Sequence, residues 1–358
     1  MAYIIMFVFS ILMLYIANKY KENKIIRIGA FVLAGLSFFV VSAFRYDVGY
    51  DYINRYANDY IKLGKGIDVK NLELGYKLLV RICLIFTKDY AIIFIVTSAI
   101  IVGLTFYTIY KESDYPILSV AIYFLTCFFF HSLNLMREYL AISVALFAYR
   151  YLIDKKYVKY AILSIIAFLF HSSSIVVIVG VLLCDKEVFD LKRTLIISAI
   201  LFIFGKYLWQ YVGTFIINYT RFGTYIGSQF DVSFLRKLDI LFNLALYVAI
   251  YYLYSKCEDK GRKDKFFLNM QALSVFFMIA ATAMYLFFRI SFYFGIFSII
   301  SIPYFLKKAN LSTKKKIIVL SMIMLVLTAN IVKRNVLANT DEVLPYKTIF
   351  TVEDRIKP

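Results

Sequence analysis

Apolar runs broken by short, lysine-rich connections repeat along the whole chain. The runs cover residues 2–17, 28–44, 90–110, 116–130, 133–152, 158–183, 194–210, 238–254, 266–288, 290–306 and 316–332. Most reach the roughly 17–25 residues that a helix needs to cross a bilayer. Only helices and closed barrels satisfy their backbone inside lipid, and no alternating strand pattern is visible, so the runs predict helices. Basic residues concentrate in four connections: Lys19, Lys21, Lys24 and Arg27; Lys155, Lys156 and Lys159; Lys256, Lys260, Arg262, Lys263 and Lys265; Lys307, Lys308, Lys314, Lys315 and Lys316. The positive-inside rule places all four in the cytoplasm and the N-terminus outside. Parity then shapes two other stretches. Leu72 to Phe86, interrupted by Glu73, Lys77 and Arg81, should lie at the interface or re-enter rather than cross. Residues 158–183 should form a hairpin of two short helices turning at Phe170-His171-Ser172-Ser173-Ser174. The expectation is an all-α polytopic membrane protein with ten crossings, a short-helix hairpin and both termini outside. Residues 1–358 form a single integral-membrane domain in this reading.

Composition strengthens that picture. The chain is 62% hydrophobic and 18% charged, against about 45–50% and about 25% for soluble domains. No polar stretch is longer than about 30 residues, too short for a soluble domain of at least about 50. The net charge of +18 would point to nucleic acid in a soluble protein. Here the lysines sit in inner loops, where they suit anionic lipid head groups, and no nucleic-acid motif accompanies them. Cys83, Cys127, Cys184 and Cys257 are scattered, without metal or redox spacing, and read as buried thiols. With only His131 and His171 as histidines, a conventional zinc site is not expected, nor is any cofactor. The first run lacks a basic n-region and a cleavage site, so it reads as a retained helix.

Several charges do not fit this lipid-facing pattern. Asn134, Arg137, Glu138 and Ala141 fall at i, i+3, i+4 and i+7, one stripe of a helix. Arg45 ends the second run, and Arg289 lies between two late runs, sharing a face with Tyr285 and Tyr293. With His171, these arginines map to one leaflet level, the outer one. Each could be a snorkelling anchor or a structural ion pair. Three arginines at one depth, with a histidine, instead suit an anionic ligand. The planar guanidinium fork favours a diphosphate, and a lipid diphosphate would place its tail in the bilayer. Asp47, Asp51, Glu73 and Glu138 are the nearby carboxylates. The tyrosines at 46, 50, 52, 56 and 60 mark the interface or offer flat surfaces to sugar rings.

Taken together, Arg45 with Gly49-Tyr50-Asp51-Tyr52, Glu73-Leu74-Gly75-Tyr76, Asn134-Leu135-Met136-Arg137, Phe170-His171-Ser172-Ser173, Arg289 and Leu344-Pro345-Tyr346 resemble the EpsG/Wzy family of bacterial polysaccharide polymerases. The resemblance runs from the second helix to the C-terminus. Glu138 departs from it, standing where the family pattern has glutamine. The resemblance implies a GT-C-like glycosyltransferase of the bacterial cytoplasmic membrane. It would join undecaprenyl-diphosphate-linked oligosaccharides, as both donor and acceptor, at the outer face and without a metal. Membrane lipids, a chain-length regulator and a flippase are the candidate partners. Arg45, Arg137 and Arg289 would hold the diphosphate, and His171 would be the general base. Asp51 and Tyr52 would meet the acceptor sugar, with Glu73, Asn134, Glu138 and Tyr285 completing the binding candidates. A membrane O-acyltransferase and a lipid-linked oligosaccharide flippase are the alternatives. The first should show a cytoplasmic acyl-donor site, and the second a polar path through the membrane.

Overall fold

The computed structural model describes residues 1–219, 234–284 and 286–352. The described chain is helical, its only β-type pairing being a bridge between Arg45 and Thr348. It divides into two compact units, residues 1–175 with 331–358, and residues 176–330.

The first unit starts with α1 (Ala2–Lys19) and α2 (Lys24–Ala43), which pack together; Asn23 caps α2 by accepting from the Ile25 and Ile26 amides. A π-helical turn at Tyr52–Ala57 leads into α3 (Asn58–Gly64), and then α4 (Leu74–Phe86). Next come α5 (Ala91–Glu112), α6 (Pro116–Leu125), α7 (Phe128–Asn134), α8 (Met136–Ile153) and α9 (Tyr157–Phe170). Cys127 adopts a left-handed conformation, φ 67°, and the chain bends by 52° between α6 and α7. A second break at Leu135 separates Asn134 from α8. The single stripe expected from Asn134 to Ala141 is therefore interrupted. α8 is the central helix, packed by α5 and α9 and buried almost all round from Met136 to Tyr149. That burial obliges its charged residues to find partners.

Large apolar side chains stand exposed on α1 (Ile4, Ile5, Val8, Leu12) and α2 (Val32, Leu33, Leu36, Val40). A water-facing surface would not carry such stripes; a lipid-facing one would. On α4 the exposed Leu74, Leu78, Ile82, Ile85 and Phe86 form a comparable face. At 13 residues, about 20 Å by helical rise, α4 is too short to cross, as its charges suggested.

In the second unit, α10 (Val179–Leu183), α11 (Leu191–Tyr219) and α12 (Phe234–Ser255) precede α13 (Arg262–Ala280), the packing centre. Then follow α14 (Leu286–Gly295), α15 (Ser298–Lys308) and α16 (Thr313–Ile331). Buried Asn269 uses its whole amide here: its Oδ1 accepts from the Val188 and Phe189 amides, while Nδ2 donates to the Leu183 and Lys186 carbonyls. Asp264 caps α13 and pairs with Lys308. All four cysteines are buried and unbridged, as expected.

Six described helices are long and apolar enough to cross a membrane, or seven if α6 and α7 form one bent span. The hydropathy reading counted ten. The difference has visible causes. α8 carries Arg137, Glu138 and Arg150, and α13 opens on four charged residues. α14 and α15 together make one span, Leu286–Lys308. Arg289 consequently lies inside a helix and not, as expected, in the connection between two. Helix α9 does break at His171, whose backbone is extended, and Ser172–Ile178 continues as a 3-10 turn.

Candidate active site

Glu73 joins the residues that hydropathy alone could only align by depth. It lies just ahead of α4, where its Oε2 accepts from Arg137 Nη1 at 2.7 Å and its Oε1 pairs with His171 Nδ1 at 2.9 Å. The three side chains come from α8, the start of α4 and the end of α9. Their exposures are 7% for Arg137, 9% for Glu73 and 15% for His171, so the imidazole is the most open member.

Local sequence explains how α4 gets so close. Gly75 rests on α9: a Cβ there would stand 2.8 Å from the Leu169 carbonyl oxygen. Gly75 is two residues after Glu73 and Leu169 two before His171, so this contact sets the carboxylate–imidazole distance. A Gly75→Ala protein is expected to lose about 1–3 kcal/mol of stability by overpacking. It should lose polymer formation more steeply than stability, which a thermal melt beside an activity assay would resolve.

Burial pushes the Glu73 carboxyl up, but the His171 hydrogen bond and the Arg137 charge outweigh it and hold the group down to about 2. An ionised carboxylate only accepts, so the proton of this hydrogen bond sits on His171 Nδ1, and in the neutral imidazole Nε2 is then the accepting atom. Arginine has five N–H donors, and the pairing with Glu73 uses Nη1 alone. Arg137 also lies 5.8 Å from the ring centroid of Tyr76. Asp59, buried on α3, is near enough for the Arg137 charge to act on it; burial nevertheless raises its carboxyl.

The other expected site residues are placed differently. Arg45 is 1% exposed and donates to the carbonyls of Ser42 and Leu133, with its guanidinium 4.9 Å from the Phe94 ring centroid. Tyr52 is fully buried, stacked on Phe94 and donating to the Arg45 carbonyl. Asn134 accepts from the Asp51 amide through Oδ1 and from the Tyr56 hydroxyl through its carbonyl. Gly49, at φ +94°, lies so close to Leu133 that a Cβ would meet its carbonyl at 3.0 Å. These residues pin loop 45–57 to the turn ahead of Arg137. Asp51 is half-buried, while Glu138 is buried in α8; the partner of Arg137 is Glu73, not its chain neighbour. Arg289, half-buried in α14, belongs to the other unit. Tyr285 lies outside the described residues.

A second histidine–carboxylate–arginine arrangement escaped the sequence reading. His131 Nδ1 bonds Asp341 at 3.0 Å, and Arg334 Nη2 lies 4.0 Å from the same carboxylate. Burial raises the Asp341 carboxyl, but His131 and Arg334 keep it below the usual range. The C-terminal segment is also held by main-chain bonds from Tyr46 to Lys347, Gly49 to Glu342 and Ile349 to Phe44. The Leu344-Pro345-Tyr346 tail takes part, since the Tyr346 hydroxyl donates to the Val41 carbonyl.

The EpsG family pattern matches residues 28–348, nearly the whole chain. The chain belongs to the EpsG family. This is the family of Wzy-type polysaccharide polymerases. Membership implies a glycosyltransferase-type polymerase that uses lipid-linked oligosaccharides in a membrane. Comparison with curated proteins and with solved structures returns no match. The family match spans every motif of the site: Glu73-Leu74-Gly75-Tyr76, Asn134 to Arg137, and Phe170 to Ser173.

Proposed function

We propose that this EpsG-family chain joins undecaprenyl-diphosphate-linked repeat units at the outer face of the cytoplasmic membrane, in a GT-C-like manner and without a metal. The carrying observation is the Glu73 carboxylate set between Arg137 Nη1 and His171 Nδ1. In this reading, an acceptor hydroxyl attacks the anomeric carbon of the donor sugar. His171 Nε2 takes the hydroxyl proton as the new glycosidic bond forms. The bond from the anomeric carbon to the diphosphate breaks, and its electron pair leaves with the phosphate oxygen. The N–H donors of Arg137 not used by Glu73 stabilise that developing charge. Glu73 keeps the imidazole in the tautomer that can accept a proton. Arg45 and Asn134 act as positioning residues for the adjoining loop, with Asp51 next to the acceptor. The reading rests on the first unit alone and does not draw on Arg289.

Deletion in the native host tests it. The deletion strain should accumulate lipid-linked single repeats on the outer leaflet, and the wild-type gene should restore polymer. Accumulation confined to the inner leaflet would indicate a flippase; full-length polymer lacking acyl groups would indicate an acyltransferase. Arg137→Lys should fail to restore more than about 1% of polymer, although it inserts normally, because a lysine keeps the charge but loses the fork. Near-complete restoration by the lysine protein would remove Arg137 from diphosphate recognition.

A further inference from the structure

We propose that a polar pocket between residues 47–54 and 339–347 binds a sugar ring of the lipid-linked substrate, an inference that rests on the polymerase reading and deepens it. The pocket has a volume of about 330 Å³, and its polar lining comes from Asp47, Tyr50, Asn54, Asn339, Glu342 and Lys347. That volume is at the lower end of the roughly 300–1,000 Å³ of ordinary ligand pockets, a size for one small polar unit.

The lining chemistry selects the ligand class. Asp47 and Glu342 supply acceptors and Lys347 supplies donors, so neither a free anion nor a free cation is matched alone. Saccharide hydroxyls donate and accept at once, and they suit such a mixed wall. Tyr50 is 60% exposed, in contrast to its buried neighbours Tyr46, Tyr52 and Tyr56. Its ring offers an amphipathic face against which the C–H side of a sugar can lie. Asn54 Nδ2 donates to the Tyr50 carbonyl, holding that residue in place.

The pocket is also preformed. Its two walls are tied by the bonds from the Gly49 amide to the Glu342 carbonyl, 3.0 Å, and from Tyr46 to Lys347, 2.9 Å. Asn339 is committed to its own loop: Nδ2 donates to the Leu344 carbonyl and Oδ1 accepts from the Val343 and Leu344 amides. Asp47, Asn339 and Glu342 all have positive φ, at 49°, 42° and 51°. Three non-glycine residues in this uncommon region around one pocket signal a shape maintained at some cost. The loop carrying Asp47 and Tyr50 rests on Leu133 and Asn134, about one helical turn before Arg137. The pocket and Arg137 belong to the same compact unit.

The test uses the full chain in nanodiscs and the free repeat oligosaccharide, released by mild acid from lipid-linked material of the deletion strain. This probe lacks both diphosphate and lipid, so its binding reports on a sugar site alone. Saturation-transfer NMR should detect binding to the wild type. Tyr50→Ala and Glu342→Gln should each weaken it by about tenfold, whereas Tyr50→Phe, which retains the ring, should stay within about twofold. With lipid-linked substrate, the same two variants should raise KM by about tenfold and leave kcat within about twofold, the pattern of lost substrate binding. Unchanged melting temperatures would show that the variants fold. Wild-type polymerisation with unaltered binding and KM in both variants would overturn the pocket assignment and leave the polymerase reading standing. Oligosaccharide binding lost in the variants, in a wild type that forms no polymer, would overturn the polymerase reading and retain the sugar pocket.

Discussion

His171→Gln is expected to reduce polymer formation by about 10²–10⁴-fold, the range for loss of a positioned general base. Glutamine can still donate an N–H toward Glu73, so the local fold and donor-lipid binding should persist. It has no basic lone pair to replace Nε2. The assay is turnover of reconstituted protein with purified lipid-linked repeats, alongside a separate measurement of donor binding. A glutamine protein with a near-normal rate would exclude the imidazole as base and bring Asp59 forward.

Glu73→Gln should be the most damaging change to stability and activity together. It removes the countercharge from Arg137 and the ionised acceptor that orients His171. Breaking a buried pair from one side costs about 3–5 kcal/mol, because the other charge stays buried alone. Activity should fall by at least about 100-fold as the tautomer preference is lost. Removing Arg137 as well should recover part of the stability without recovering activity, and a double-mutant cycle would measure that coupling. The acid dependence has a definite sign. The folded-state value of about 2 is below the ordinary glutamate value of about 4.3. The stabilisation is therefore complete above about pH 4.5 and is lost as pH falls toward 2. The gap in melting temperature between wild type and Glu73→Gln should be constant from pH 5 upward and shrink below it. A gap unchanged down to pH 2.5 would mean that Glu73 carries no such charge-dependent stabilisation.

The elements of this site were legible in the sequence to very different degrees. Arg137 and His171 stood out because each interrupts an apolar run, where burying a charge or polar ring requires a partner. Glu73 stood out as a motif carboxylate and a binding candidate at the start of a short amphipathic stretch, but its role as the bridge between Arg137 and His171 was not visible. Glu138, adjacent to Arg137, was the natural partner on paper. Successive helical residues point in different directions, however, and the pairing is made by a carboxylate 64 residues away. Arg45 shows the converse. Its position at a helix end suggested a ligand contact, yet packing surrounds it with carbonyls and aromatic rings. Tyr50 and Tyr52, two residues apart, went opposite ways, one outward into the polar pocket and one under Phe94.

Hydropathy and the placement of the basic loops by themselves determined that the chain is helical and membrane-embedded and that a helix breaks at His171. These properties depend on local composition and length, because lipid imposes the same backbone requirement on every segment. Tertiary structure alone decided which charged groups meet. Gly75 permits α4 to lie against Leu169, the Leu135 break frees Asn134 to hold the Asp51 loop, and the C-terminal segment returns to place Asp341 against His131. Such pairings span tens to hundreds of residues and are selected by the cost of leaving buried polar groups unsatisfied across the whole packed unit.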